Sequence, residues 1–417
     1  MPMTRLKAYP IYLILTAATS FAFSVAFTTS AVYRYEAAGL DPLQLVLLGT
    51  ALEAAVFLFE IPTGIVADLF SRRLSLIIGY AVIGLGMLLE GGFQLFFTIL
   101  LAQVVWGIGY TFISGAQSAW LADELGEERL TAAFLRGSQV AQLATLAGIG
   151  ANVLLANRQL NLPYFAGGLV HIVLALFLAL FMPEHGFAPT PAGERDTWSR
   201  MGDTFRSGMQ TIRVRPMLMT ILGISFIYGL YSEALDRLWQ PHFLDNVMPP
   251  AAFELSMVTW FGIITASTMV ISVGVAEMVR GRTSELDPMH MTVLLALLSA
   301  VISTGLVVFG LARNFPVALA AFASVDIART TLNPLFDAWT NRGLPSAVRA
   351  TVLSTYGQMD AVGQVIGGPL VGVIANQAGL RVALVVAGLL LSPVLLLYRR
   401  AHRQTAVALE TEPVKAD

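Results

Sequence analysis

Long apolar stretches recur along the whole chain and are separated by short polar segments. A helix needs about 20 consecutive, mostly apolar residues to cross the hydrocarbon core of a bilayer. Read in this way, the sequence predicts twelve spans, near residues 10–33, 43–67, 74–92, 96–121, 131–156, 163–182, 216–239, 252–278, 290–311, 315–339, 349–375 and 379–398. The spans leave room only for short loops, so we expect an all-α polytopic membrane protein of twelve transmembrane helices.

The composition agrees with a lipid environment and excludes several kinds of chemistry. Only 12% of the 417 residues are charged, against about 25% in a soluble domain. The sequence has no cysteine and no H-x-x-x-H pair, which argues against thiolate chemistry and metal sites. Its two lysines, Lys7 and Lys415, lie outside any phosphate-binding G-x-x-x-x-G-K-[ST] string. We therefore expect a monomer in the lipid bilayer with no catalytic residues, no metal, no cofactor and no nucleic-acid partner.

The basic residues predict the orientation. If the N-terminus is cytoplasmic, 18 of the 25 lysines and arginines fall in cytoplasmic segments, five in outer loops and two inside spans. Arg34 is one of the five assigned to outer loops, and Arg136 and Arg329 are the two inside spans. This strong positive-inside bias places both termini in the cytoplasm and the protein in a bacterial-type inner membrane.

Four regions are predicted along the chain. Residues 1–182 and 216–404 each form a six-helix bundle, and residues 183–215 form a cytoplasmic linker with an amphipathic helix. The alternative for the linker is a flexible connection. Residues 405–417 are polar and are predicted to be a disordered cytoplasmic tail.

The two halves share sequence features at a nearly constant offset. Ala119–Trp120 at the end of the fourth span corresponds to Ala338–Trp339 at the end of the tenth, and Arg129-x-Thr131 corresponds to Arg349-x-Thr351. These matches predict a duplicated six-helix unit. Two such pseudo-symmetric bundles form the architecture of many secondary transporters.

The loop between the second and third spans has the composition of a packed helix end. Pro62 and Gly64 permit a bend, and Asp68 can cap the end of the helix. Arg72 and Arg73 offer guanidinium groups to carboxylates such as Asp123 or Glu124. The alternative is a loop that only sets the topology.

This loop, GIVADLFSRR (Gly64–Arg73), resembles the signature of the major facilitator superfamily. The strings FEIPTGIVAD, SAWLADELGEER and LPSAVRATVLS are most similar to its drug:H⁺ antiporter and macrolide-efflux-like branch. The resemblance implies that Gly64 and Asp68 meet helix eleven in a conformational latch. Together with Arg72, Arg73 and Asp123, they would hold the outward-open state.

The sequence also departs from this pattern. Leu69 and Ser71 replace the usual basic residue and glycine of the loop. Gln103 occupies the position of the arginine that proton antiporters carry on helix four, and helix five lacks their glycine–proline motif. The proton-handling role of that arginine therefore does not transfer to this chain.

Charged residues at membrane depth are the candidate functional residues, since each costs about 2.5–3.5 kcal/mol to insert. Glu53 and Asp360 are the strongest, because each is central and has no obvious cation in its own helix. The other candidates also have structural interpretations. Asp326 could pair with Arg329 one turn away, Glu233 could belong to a solvated helix end, and Arg136 could reach the membrane surface or pair with Glu53 or Asp360.

Acidic groups outnumber cations in this zone, which suits both proton coupling and attraction of an organic cation. We therefore predict a secondary transporter, not an enzyme, that works by alternating access and exports lipophilic or cationic small molecules against protons. The alternative is uptake of a metabolite or translocation of a lipid, such as a sugar, siderophore or lysolipid. A membrane-embedded enzyme and a receptor without transport are further alternatives.

Overall fold

The computed structural model describes residues 7–187, 215–250, 254–283, 287–341 and 346–411. This part of the chain is built from long helices that correspond to the twelve predicted spans. The helices are α1 (Ala8–Ala37), α2 (Pro42–Leu69), α3 (Arg72–Gly92), α4 (Phe96–Leu125), α5 (Glu127–Ala156), α6 (Leu162–Phe181), α7 (Pro216–Asn246), α8 (Met257–Thr283), α9 (Pro288–Leu311), α10 (Phe315–Asn341), α11 (Ser346–Ala378) and α12 (Leu380–Leu391, continued by Val394–Thr411).

Eleven of these helices, within the described residues, are long and apolar enough to cross a membrane. α11 is the exception, because its polar residues Gln358, Asp360 and Gln364 lower its average hydropathy. The predicted all-α architecture is confirmed.

Side-chain caps and glycines set several helix ends. Asp41 and Gln44 form a reciprocal capping box at the start of α2. Asp287 accepts hydrogen bonds from the backbone N–H and ring of His290 at the start of α9, and these bonds lower the pKa of the Asp287 carboxyl. Gly115 and Gly126 adopt positive φ angles of 73° and 74°, which interrupt α4 and separate it from α5.

The chain forms two compact units. The first contains residues 1–197 and 254–266, and the second contains residues 198–253 and 267–417. In the first unit α1 packs on α5 and α6, and α3 packs on α4 and α6. The second unit repeats these pairs six helices later, with α7 on α11 and α12, and α9 on α10 and α12. The repeated packing is the arrangement expected for a duplicated six-helix unit.

Three details differ from the predictions or fall outside the structure. Arg34 lies in the last, π-helical turn of α1 and is only 2% exposed, so its assignment to an outer loop is wrong. The helix that ends α12 extends to Thr411, so residues 405–411 are helical and not a disordered tail. The predicted amphipathic linker helix lies outside the described residues.

Candidate functional site

Three helices of the second unit, α7, α10 and α11, enclose a cavity of about 280 Å³. Its walls combine hydroxyl, amide, aromatic and charged side chains. They are Ser225, Tyr228, Tyr231 and Ser232 from α7, Arg329, Leu332, Asn333, Phe336 and Asp337 from α10, and Tyr356, Asp360 and Gln364 from α11.

Helical periodicity brings these polar side chains to the cavity. Arg329, Asn333 and Asp337 follow one another at four-residue steps on α10. Tyr356, Asp360 and Gln364 do the same on α11. Residues four apart lie on the same face of a helix, so each helix presents a polar stripe.

The cation of the cavity is paired across helices. The Arg329 guanidinium donates two hydrogen bonds to the Asp236 carboxylate of α7, one from Nη1 to Oδ1 and one from Nη2 to Oδ2 at 2.9 Å. The sequence left a pair between Arg329 and Asp326 open. In the structure Asp236 holds the guanidinium, and Asp326 is a neighbouring charge. Asp326 instead accepts a hydrogen bond from Thr268 of α8. A bidentate pair of this kind largely neutralises the Arg329 charge.

Two carboxylates of the cavity are held by neutral donors. Gln364 donates from Nε2 to Oδ2 of Asp360 at 2.6 Å. The Tyr356 hydroxyl donates to Oδ1 of Asp337 at 2.6 Å. Neither aspartate forms an ion pair within the part of the chain that the structure describes. Asp337 was not among the sequence candidates, although its place in the α10 stripe could have revealed it.

Aromatic rings form part of the same cavity wall. Tyr228 packs edge to face on Phe336, with ring centroids 5.6 Å apart, and Phe336 packs in the same way on Tyr356 at 5.9 Å. The Tyr228 hydroxyl is already engaged by Ser299 at 2.8 Å and by Tyr398 at 2.7 Å. These tyrosines therefore supply aromatic surface to the cavity while their hydroxyls serve other partners.

The remaining charged candidates lie elsewhere. Glu233 is only 3% exposed and accepts a hydrogen bond from Arg237 at 3.2 Å, outside the cavity wall. Arg136 is exposed on α5 and donates to Gln139 at 3.0 Å. Glu53 is half-buried on α2 and acts electrostatically on Tyr110 of α4. The candidates Glu53 and Arg136 therefore lie in the first unit, and Glu233 lies in the second.

The signature loop makes a compact set of contacts inside the first unit. Arg72 forms an ion pair with Asp123 and donates to the Ala119 carbonyl oxygen at 2.7 Å. The backbone N–H of Arg73 donates to Glu184 at 2.9 Å, and its guanidinium donates to the Ala179 carbonyl at 2.5 Å. The two arginines therefore connect the start of α3 to the ends of α4 and α6.

Ser71 has a specific use, although the signature usually has a glycine there. Its hydroxyl accepts the Leu74 N–H at 2.9 Å as the N-cap of α3, and it donates to Glu184 at 2.7 Å. Asp68 is exposed, and a Cβ added at Gly64 would meet no atom of the described part of the chain within 4 Å. The latch role of Gly64 and Asp68 stays a prediction.

A buried charged network in the first unit was missed by the sequence analysis. The Arg34 Nε donates to Glu90 at 2.7 Å, and Gln103 donates to the other Glu90 oxygen at 2.6 Å. The side chains of Arg34 and Glu90 are 2% and 3% exposed. Glu90 ends the apolar run of α3 and Arg34 follows that of α1, so both resemble loop-proximal residues in the sequence. Gln103 thus serves to hold Glu90.

The helical repeat, the apolar helices and the charged cavity define a polytopic membrane protein of the secondary-transporter type. Residues 12–359 match the family model of the Major Facilitator Superfamily. The chain belongs to this superfamily and is a multi-pass membrane transporter.

Individual relatives are distant. The chain is 22% identical over 363 residues to the uncharacterized MFS-type transporter YxaM of Bacillus subtilis (strain 168), covering 85% of this chain and 87% of that one. Among solved structures, it is similar to a bacterial homolog of the human lysosomal transporter Spinster, with a TM-score of 0.77 at 14% identity over 95% of this chain and 98% of that one. The nucleoside transporter NupG gives a TM-score of 0.76 at 13% identity, covering 95% and 99% of the two chains. These likenesses establish the fold.

Proposed function

We propose that this transporter exports lipophilic or cationic small molecules in exchange for protons, by alternating access. The observation that carries the proposal is the cavity with Asp360 and Asp337 in its wall, where the guanidinium of Arg329 is already paired with Asp236. The excess negative charge attracts a cation, and the aromatic rings beside it provide favourable contacts to a cation and to apolar groups.

Asp360 is proposed as the coupling residue. It is set in the middle of α11 and is hydrogen-bonded by the neutral Gln364, so either a proton or a substrate cation can neutralise it. A carboxylate that binds either a proton or the substrate cation, but not both at once, couples the exchange of the two. Glu53 is proposed to play a similar part in the first unit, which also holds Arg136, while Arg329, Asp326 and Glu233 set the field around Asp360 in the second.

We also propose where the transporter is located and which residues control its conformational change. It places the protein in a bacterial-type inner membrane as a monomer, with both termini in the cytoplasm, as the distribution of arginines favours. Gly64 and Asp68, with the contacts of Arg72, Arg73 and Asp123, are proposed to act as the conformational latch.

Asp360→Asn tests the coupling role. Vesicles with an acidic interior, reconstituted with the protein and clamped at zero membrane potential, should accumulate ethidium, a permanently charged cation. We expect Asp360→Asn to reduce this accumulation to the level of empty vesicles, because the asparagine cannot carry the proton. Fluorescence quenching of the dye provides the measurement.

Glu128→Gln is the matched control, since it removes an exposed carboxylate from the first turn of α5. It should accumulate ethidium as the unchanged protein does. The proposed coupling role of Asp360 is wrong if vesicles with the Asp360→Asn variant still accumulate the dye in response to the pH gradient.

One observation favours a second candidate function, the uptake or translocation of a polar metabolite. Ser225, Ser232 and Asn333 give the cavity hydroxyl and amide groups suited to a hydroxylated ligand. In this case a sugar or nucleoside, and not ethidium, should accumulate in the same vesicles.

A further inference from the structure

We propose that the cavity of the second unit selects ligands with two cationic groups, and that Asp337 is the residue that determines this selectivity. The inference rests on the proposed function, because it assumes that the cavity receives the transported cation. It adds the number of charges on the ligand and a role for a residue that the coupling mechanism does not use.

The cavity wall carries an excess of negative charge. Three charged side chains line the cavity, namely Arg329, Asp337 and Asp360. The Arg329 charge is balanced by Asp236 through the bidentate hydrogen bonds. Asp337 and Asp360 receive hydrogen bonds only from the neutral Tyr356 and Gln364, within the described residues. A ligand with two positive charges would balance both aspartates.

The two aspartates of the cavity wall come from different helices. Asp337 belongs to α10 and Asp360 to α11, and each has its own neutral donor. The aromatic rings of Phe336 and Tyr356 lie in the same wall. Two separate carboxylates with apolar surface in the same wall suit two cationic groups joined by an apolar linker, since one ammonium can approach each carboxylate.

Asp337 is accessible from the cavity. This residue is exposed and lines the cavity, and within the described residues its carboxylate accepts a hydrogen bond only at Oδ1, from the Tyr356 hydroxyl. Asp236, in contrast, commits both oxygens to Arg329. Asp337 is therefore the second carboxylate that a ligand in the cavity can approach, after Asp360.

A matched pair of probes tests the inference. Hexane-1,6-bis(trimethylammonium) and hexyltrimethylammonium share one chain and differ by one charged group. Isothermal titration calorimetry on the purified full-length protein should show the dication binding about tenfold more tightly, as one additional partly solvated charge contact provides. Asp337→Asn should bring the two dissociation constants together and leave that of the monocation nearly unchanged. Asp337→Glu, which keeps the charge, should retain the preference.

Further variants separate selectivity from folding and from coupling. Tyr356→Phe removes the donor to Asp337 but keeps the charge, so it should preserve the dication preference. The inference is overturned if the unchanged protein binds both probes equally, or if Asp337→Asn keeps the tenfold ratio. Proton-driven ethidium accumulation is measured separately. If the unchanged protein shows no dication preference but transports ethidium normally, this inference alone is refuted. If it prefers the dication but fails to transport ethidium, the proposed coupling alone is refuted.

Discussion

Replacing either partner of the Arg34–Glu90 pair is expected to lower the free energy of unfolding by about 3–5 kcal/mol. Both side chains are almost completely buried, so Arg34→Met leaves the Glu90 carboxylate without its cation, and Glu90→Leu leaves the guanidinium without its anion. An unpaired buried charge bears its full desolvation cost. Equilibrium unfolding in mixed dodecyl sulfate and maltoside micelles measures the change.

The double variant supplies the control. Arg34→Met combined with Glu90→Leu removes both charges, and it should cost less than the sum of the two single changes because no charge stays buried alone. Gln103 donates to Glu90 at 2.6 Å, so it loses its acceptor both in the single variant Glu90→Leu and in the double variant. Additive effects in the double variant would contradict the assignment of this pair as a coupled, buried ion pair.

Gly367→Val is expected to have the second large effect, a loss of about 3 kcal/mol or more in the free energy of unfolding. A side chain at Gly367 would collide with the backbone of Leu230, and one at Gly363 would collide with the carbonyl oxygen of Phe226. Backbone atoms cannot move aside as side chains do, so α7 and α11 would have to separate.

Gly357→Val on the same helix is the matched control, because a Cβ at Gly357 would meet no atom of the described residues within 4 Å. It changes β-branching and helix propensity as Gly367→Val does but creates no collision, so it should change stability by less than about 1 kcal/mol. The same unfolding assay compares the two. Equal losses for both variants would show that the close contact of α7 and α11 does not decide the effect.

These glycines also position the cavity. Gly229 of α7 lies against the carbonyl oxygen of Asp360, where a side chain could not fit. The close contact of the two helices places the α7 tyrosines and Asp360 in one wall. We therefore expect that Gly367→Val also impairs ethidium accumulation in any protein that remains folded.

Much of the candidate site could be predicted from the sequence of single helices. The contacts between pairs of helices could not. Asp360 and Arg329 were identified because charges are rare at membrane depth. The candidate partner of Arg329 in the sequence was Asp326, which is three residues away on the same helix. Asp236 is 93 residues away in the chain and lies on α7. Proximity in sequence could not predict that contact.

The number of helices, their apolar character and the duplicated architecture follow from the amino-acid sequence alone, because the thickness of a bilayer and the need to satisfy backbone hydrogen bonds leave few other solutions. Which polar residues come together depends on how the helices pack. Helices that are apolar on all sides carry little information about which face packs inward, since lipid and protein interiors have similar polarity. The Arg34–Glu90 pair, the Arg329–Asp236 pair and the access of Asp337 to the cavity arise from the packing of the helices.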